Sequence, residues 1–263
     1  MNDDLQLIDL HCHVLPAVDD GPASLEAALA LVRGARDDGI ATIAATPHVD
    51  WSHPEVDAAL IHGAVPALQQ HLDAAGLEVT IVTGAEVAAV RAVELDDAEL
   101  AALRLGGGAW LLLECPVAAT LAPGFMHAAR TVAWRGHRVL LAHPERCPLF
   151  LRSPDLLEEL VAEGMLTQVT SGALSGRFGR TVRDFALRLV ARGGAQVVAS
   201  DGHDERRPAR IAADLQQAGI APALASWLAA DMPAALLAGD RPPPRPQIGA
   251  GSRRAGLRRL VRR

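Results

Sequence analysis

Leu7-Ile8-Asp9-Leu10-His11-Cys12-His13 is the stretch from which the rest of the chain is read. The apolar run Leu7–Leu10 has the composition of a buried strand, and it ends on two histidines separated by one residue. Side chains alternate across a strand, so His11 and His13 point to one face and Cys12 to the other. Two imidazoles on one face make half of a metal site. The same form, a short β-branched or leucine-rich run ending in an ionisable group, recurs along the chain. Strands are expected at Leu7–Leu10, Ile40–Ala45, Val79–Val82, Trp110–Leu113, Arg138–Ala142, Thr167–Val169 and Gln196–Ala199. Helices fit Ser24–Asp38, Val56–Ala75, Gly124–Arg135, Pro154–Glu163 and Arg180–Arg192, each followed or closed by a glycine: Gly39, Gly76, Gly136, Gly164 and Gly193. Alternating βα units predict a parallel sheet, and 263 residues suffice for one TIM-like (β/α) barrel.

In such a barrel the C-terminal strand ends converge on one mouth, and that is where the candidate ligands fall. After the first strand come His11 and His13, with Asp19-Asp20-Gly21 close enough for a carboxylate to bend back. The later ends read Thr46-Pro47-His48, Gly84-Ala85-Glu86, Glu114-Cys115-Pro116, His143-Pro144-Glu145-Arg146 and Ser200-Asp201-Gly202-His203. Each piece alone has an ordinary structural explanation; the same chemistry at so many strand ends does not. Glu114 directly follows an apolar strand, where an isolated carboxylate is costly without a cation or donors. By contrast His62, His71 and His127 lie in helices, His137 in a turn and His53 in a loop, and these five read as structural or solvated.

Composition removes other chemistries. Lys and Tyr are absent, which excludes a Schiff-base lysine, a pyridoxal phosphate anchor, a Walker phosphate loop, a carboxylated lysine and a tyrosine acid. The net charge of -6 gives no broad footprint for nucleic acid. Three unpaired cysteines point to reduced thiols in a cytoplasm, and the acidic start Met1-Asn2-Asp3-Asp4 is unlike a signal peptide. None of the cysteines has the thiol-phosphatase spacing: Cys147 and Arg152 have four residues between them where five are needed. The apolar stretch from Ala221 to Gly239 holds Asp231 and Pro233 and reads as two helices rather than a membrane span. Past residue 240 the Pro-rich run and the six arginines from Arg253 onward predict the end of the domain and a disordered 241–263 tail, solvated or weakly attracted to a membrane surface.

Imidazoles with several carboxylates exceed one tetrahedral zinc site, and mixed nitrogen and oxygen donors suit Mn, Fe, Zn or Co. Clustered cations activate water and accept phosphoryl oxygens, so the reaction expected is metal-assisted hydrolysis. Arg146 projects from the same rim with a guanidinium fork that matches a phosphate; Arg206 and Arg207 are further candidates.

Ile8-Asp9-Leu10-His11-Cys12-His13, Leu15-Pro16-Ala17-Val18-Asp19-Asp20-Gly21, Ala45-Thr46-Pro47-His48, Gly84-Ala85-Glu86, Leu141-Ala142-His143-Pro144-Glu145-Arg146 and Ala199-Ser200-Asp201-Gly202-His203 together resemble the polymerase and histidinol phosphatase (PHP) superfamily. Within it they resemble the bacterial manganese-dependent protein tyrosine phosphatases of capsule and exopolysaccharide operons, the CpsB/YwqE type. The resemblance implies a distorted (β/α)7 barrel, residues 1–240, and a three-metal cluster, most simply of Mn2+. It implies one site from His11, His13, Glu86 and Asp201, a second from Glu86, Glu114 and His143, and a third from Asp20, His48 and His203, with Arg146 and Arg207 on the phosphate. Gln168-Val169-Thr170-Ser171-Gly172 resembles a loop beside that site. The implied substrate is the phosphotyrosine tail of a membrane-associated bacterial tyrosine kinase. The rivals are a histidinol-phosphatase-like enzyme of the same superfamily, a TatD-type nuclease barrel and a catalytically silent scaffold of a polysaccharide-synthesis complex.

Overall fold

The computed structural model describes residues 6–247. Nine parallel strands make up two sheets, one ordered β1-β2-β4 and the other β3-β5-β6-β7-β8-β9. They are β1 (Leu7–Cys12), β2 (Ile40–Ala45), β3 (His48–Val49), β4 (Thr80–Thr83), β5 (Glu86–Ala88), β6 (Trp110–Glu114), β7 (Arg138–Ala142), β8 (Leu166–Thr170) and β9 (Val197–Ala199). These reduce to seven strand positions, because β2 runs on as β3 and β4 runs on as β5. The sheets meet where those two strands bend and again at the seam of β1 and β9, where Cys12 bridges Gly202, His13 N donates to Gly202 O and Asp201 N donates to His11 O. The fold is a distorted (β/α)7 barrel.

The expected β2 and β7 agree with the structure in both bounds, and the others to within two residues. The two short strands β3 and β5 were outside the expectation, since neither has more than three residues. Their cause is local. Pro47 has no N–H for the ladder, so β2 breaks there and resumes at His48, while Glu86 N donates to Pro47 O at 3.1 Å and sets the register His48–Glu86. His48 and Glu86 therefore sit in strands, side by side, rather than in loops that follow them.

Strands covered on both faces carry almost unbroken apolar runs, and Leu111, Leu112 and Leu113 of β6 are fully buried. Helix starts follow their caps. Ser24 Oγ accepts from Ala27 N ahead of the helix Leu25–Asp37, and Asp57 accepts from Leu60 N ahead of Ala58–Ala74, two residues later than the expected Val56. Phe125–Trp134, Pro154–Ala162 and Arg180–Arg192 fall where expected. The apolar stretch after residue 221 is one run of helical turns, Pro222–Ser226, Trp227–Asp231 and Met232–Ala238, whose wide middle turn accommodates Pro233. No helix among the described residues is long and apolar enough to cross a membrane.

The boundary expected near residue 240 marks the end of regular structure, but the chain stays on the domain for several residues more. Trp227 Nε1 donates to Pro243 O at 3.1 Å and Arg245 donates to Val190 O at 2.6 Å, because a proline-rich segment leaves its carbonyls free and its arginine reaches a helix end. The arginines from Arg253 onward, and the acidic first four residues, lie outside the described residues.

One cap ties the first βα unit to the last. Asp38, just past the helix Leu25–Asp37, accepts from Ile211 N, Ala212 N and Ala213 N at 2.5, 2.7 and 3.0 Å and so closes the N-terminus of the helix Ala212–Gln217. Asp38→Ala is expected to lower stability by about 1–2 kcal/mol, the usual loss of a helix cap. The urea-unfolding midpoint reads it, and an unchanged midpoint would show the cap to be idle.

Candidate metal centre

The candidate ligands lie together at the C-terminal end of the barrel, Glu114 among them as the last residue of β6. Three groups of donor atoms each lie within 4.8 Å of one another: His13, Asp20, His48 and His203; His11, Glu86 and His143; and His11, His13 and Asp201. His11, in β1, and His13, just past its end, belong to two groups each. Their Nε2 atoms are 3.3 Å apart, and Glu86 Oε2 lies 3.2 Å from the first and 3.3 Å from the second.

The rings are aimed from behind. His11 Nδ1 meets Gln168 Oε1 at 2.9 Å, His13 Nδ1 meets Asp19 Oδ2 at 2.6 Å, and His203 Nδ1 meets the Asp201 carbonyl at 3.0 Å. An acceptor on Nδ1 keeps the proton there and leaves the Nε2 lone pair facing the cluster. Asp19 also accepts from His48 N and Gly21 N. A Cβ on Gly21 would collide with the His13 carbonyl and press on the Asp19 carboxylate, so the Asp19-Asp20-Gly21 turn needs glycine to pass this close to β1.

The strand ends themselves are bent to the task. His143 and Asp201 have φ of 35° and 52°, and two of the three non-glycine residues with positive φ among those described are therefore candidate ligands. Such backbone persists only where the surroundings enforce it, and it collects at functional sites. Asp9 enforces it at the seam. It is fully buried and accepts from Ser200 Oγ, Ser200 N and His11 N at 2.5, 2.9 and 3.3 Å, which locks β9 to β1 ahead of Asp201. Burial, only partly offset by those donors, raises its carboxyl to about 6.

Buried charged groups face one another here at close range. Burial opposes the ionised form of Glu86, yet His11 and His143 beside it hold its carboxyl well below the usual range. For Asp201 the same opposition is overcome by His11, Arg207 and Arg146, and its pKa is lowered. Burial works against the His13 imidazolium too, but Asp19 and Glu86 raise it to about 10. His48, His143 and His203 go the other way, lowered chiefly by burial, and so favour the neutral imidazole that binds metals. His48 Nδ1, His143 Nδ1 and His203 Nε2 are buried with no hydrogen-bond partner among the described residues. Converging carboxylates and neutral imidazoles fit divalent cations bound through nitrogen and oxygen.

Within 4.8 Å, His13 groups with Asp20, His48 and His203, and His11 groups with Glu86 and His143. Glu114, the last residue of β6, lies partly buried beside them, and burial together with the charges of Glu86 and Asp50 pushes its carboxyl up to about 8. Arg146 and Arg207 both reach the cluster, donating to Asp201 Oδ2 at 2.5 Å and Oδ1 at 2.8 Å, while the guanidinium of Arg146 also lies 4.4 Å from the Phe178 ring centroid. Arg206 is exposed on the turn and takes no part. Of the Gln168–Gly172 stretch only Gln168 touches a candidate ligand; Thr170 N donates to the buried Glu145 and Ser171 Oγ to Arg210 O.

His62, His71 and His127 are exposed, and His137 is buried between Arg104 and Asp97, structural as expected. His53 is different, since its ring stacks on His48 at 5.7 Å between centroids. Asp9, Asp19, Gln168 and His53 are the supporting residues that sequence reasoning did not assign. The Asp19-Asp20 doublet was the one signal available; the resemblance singled out Asp20 as a ligand, and the contact with His13 gives Asp19 its supporting part. Glu86→Gln and His143→Ala are expected to lose bound divalent ion, whereas His71→Ala retains it. Metal content after dialysis against a weak chelator checks this, and equal content in all three would contradict the fit.

Comparison with known proteins agrees with this geometry. The family model described as capsular polysaccharide synthesis, CpsB/CapC, matches residues 7–218. The tyrosine-protein phosphatase YwqE of Bacillus subtilis (strain 168) is 34% identical over 205 residues, which are 75% of this chain and 78% of the relative. CapC of Staphylococcus aureus is 27% identical over 198 residues, 75% of this chain and 77% of the relative. Among solved structures, a chain from the crystal structures of YwqE and of CpsB from Streptococcus pneumoniae, described as metal-dependent tyrosine phosphatases, superposes with a TM-score of 0.79 at 27% identity and covers 92% of this chain and all of that one. The strand-end ligands, the parallel barrel and these matches lead to one assignment: the chain belongs to the CpsB/CapC family.

Proposed function

We propose that the chain hydrolyses phosphotyrosine in proteins at a cluster of divalent cations, with Mn2+ the first expectation, and that its substrate is the phosphorylated tail of a membrane-associated tyrosine kinase met in the cytoplasm. The observation that carries the reading is the placing of Arg146 and Arg207 on the same carboxylate, Asp201, that faces His11 and His13. Two arginine forks beside a nest of metal donors match a phosphate monoester rather than an amide or a sugar. The CpsB/CapC family and the phosphatase relatives support the same reaction.

His11, His13, Asp20, His48, Glu86, His143, Asp201 and His203 would hold the cations, with Glu114 beside them. Bound cations would supply activation of water near neutral pH and neutralisation of the phosphoryl oxygens. The chain's own residues do the rest. Arg146 and Arg207 turn from Asp201 to the non-bridging oxygens and hold the ester in line. Phe178 backs the Arg146 guanidinium and keeps it level. The leaving group is a phenolate, whose conjugate acid has a pKa of about 10, so departure depends less on a proton donor than it would for an alkyl ester. A site without Lys or Tyr is adequate for that step.

Metal-reconstituted protein offered a phosphotyrosyl peptide, histidinol phosphate and single-stranded DNA side by side tests the reading. Turnover is expected on the peptide; comparable or faster turnover of histidinol phosphate would replace the substrate class and leave the site intact. Arg146→Ala is expected to lower kcat/KM on the order of 10²-fold, the usual loss when one donor to a developing oxyanion is removed. Bound metal should be unchanged in that variant, and an activity equal to the parent would remove Arg146 from the chemistry.

A further inference from the structure

The mouth of the barrel has two unlike sides. The turns after β7 and β9 bear Arg146, Arg206 and Arg207, whereas those after β3, β5 and β6 bear apolar side chains in solvent: Trp51, then Val90 and Val93, then Val117 and Leu121. β3, β5 and β6 are neighbours in one sheet, so these three turns lie side by side. Trp51 is 62% exposed. A single exposed apolar side chain needs no explanation, but five on three adjoining segments beside a polar cluster make a patch of the kind that marks a binding surface.

Trp51 is also held in place. The Arg91 guanidinium lies 5.1 Å from the centroid of its ring and is itself fastened by Glu94 at 3.1 Å. Behind it, Asp50 accepts from Ser52 N and His53 N and meets His53 Nδ1 at 3.0 Å. The His53 ring then stacks on His48 with planes 8° apart. Ring by ring, His203, His13, His48 and His53 lead from the floor of the cluster out to the turn that carries the indole, at centroid spacings of 3.9, 4.6 and 5.7 Å. The turn that carries the indole is thus tied to the wall of the metal centre, and an aromatic surface binds with little loss of side-chain freedom.

We propose that Trp51, steadied by Arg91, is the platform for the polypeptide flanking the phosphotyrosine and so selects phosphorylated protein chains over small phosphate monoesters; the inference rests on the phosphatase reading above. The phosphate belongs to the arginine side. A small ester ends inside the cluster and never meets the rim. A polypeptide must leave across it, and the apolar side offers contact to peptide groups and aliphatic side chains, its Arg91 charge being already paired with Glu94.

Kinetics of the metal-loaded full chain on two substrates decide the matter: p-nitrophenyl phosphate, and a phosphotyrosyl peptide extended on both sides of the modified residue. Trp51→Ala is expected to raise KM for the peptide about three- to tenfold at unchanged kcat, the cost of one lost aromatic contact, and to leave p-nitrophenyl phosphate unaffected. Trp51→Phe should recover part of the loss. Trp134→Ala, at a helix end with 77% exposure, should change neither substrate. An unchanged peptide KM in Trp51→Ala overturns the proposal, as does an equal effect on both substrates, which would place the indole in the metal site itself. Co-sedimentation with phosphatidylserine vesicles that is lost in Trp51→Ala while peptide KM holds would assign the face to lipid and overturn it too. A parent chain inert toward both substrates would instead bring down the phosphatase reading, and this inference with it.

Discussion

Glu86 and Asp201 are buried carboxylates in an aliphatic barrel, and the rest of the site is organised around compensating them. A carboxylate removed from water costs several kcal/mol unless positive charge or donors surround it. Here the surroundings are His11, His13 and His143 for Glu86, and Arg146, Arg207 and again His11 and His13 for Asp201. Such a nest of opposite charges is costly to keep for stability alone, since apolar side chains of similar size would serve the fold as well. Its retention makes physical sense as a receptacle for cations and a phosphate.

The backbone is shaped to make that nest. Pro47 interrupts β2, which lets β3 bring His48 against Glu86 in register. Asp9 and Ser200 clamp β9 to β1, and the chain then turns through a left-handed residue at Asp201. His143 makes the same turn at the end of β7. In each case the strand positions the ligand and a local departure from strand geometry aims it. Asp19 and Gln168 contact the rings from outside the cluster and decide which nitrogen of His13 and His11 faces inward, while Asp9 holds the backbone of His11.

Much of the site was legible because strand ends in a parallel barrel share one pole, so each ionisable residue after an apolar run is brought near the others whatever its place in the chain. That reasoning located His11, His13, His48, Glu86, His143, Asp201 and His203. Alone it could not divide Asp19 from Asp20, adjacent residues of one type, of which one orients His13 and the other reaches His203 at 3.1 Å; the resemblance named Asp20. His53, read as structural or solvated, is structural, but its ring stack onto His48 was not legible because it depends on the path of a turn.

By itself the sequence determined the repeated βα pattern, the helix limits set by capping side chains and glycines, and the kinds of donor available, since periodicity, caps and composition act over a few residues. Tertiary structure alone decided how the donors are shared, which carboxylate aims a ring and which faces the cluster, and that an indole and an arginine stand together at the rim. Those outcomes turn on distances of a few ångströms between segments far apart in the chain, and distances of that kind exist only once the barrel has closed around its core.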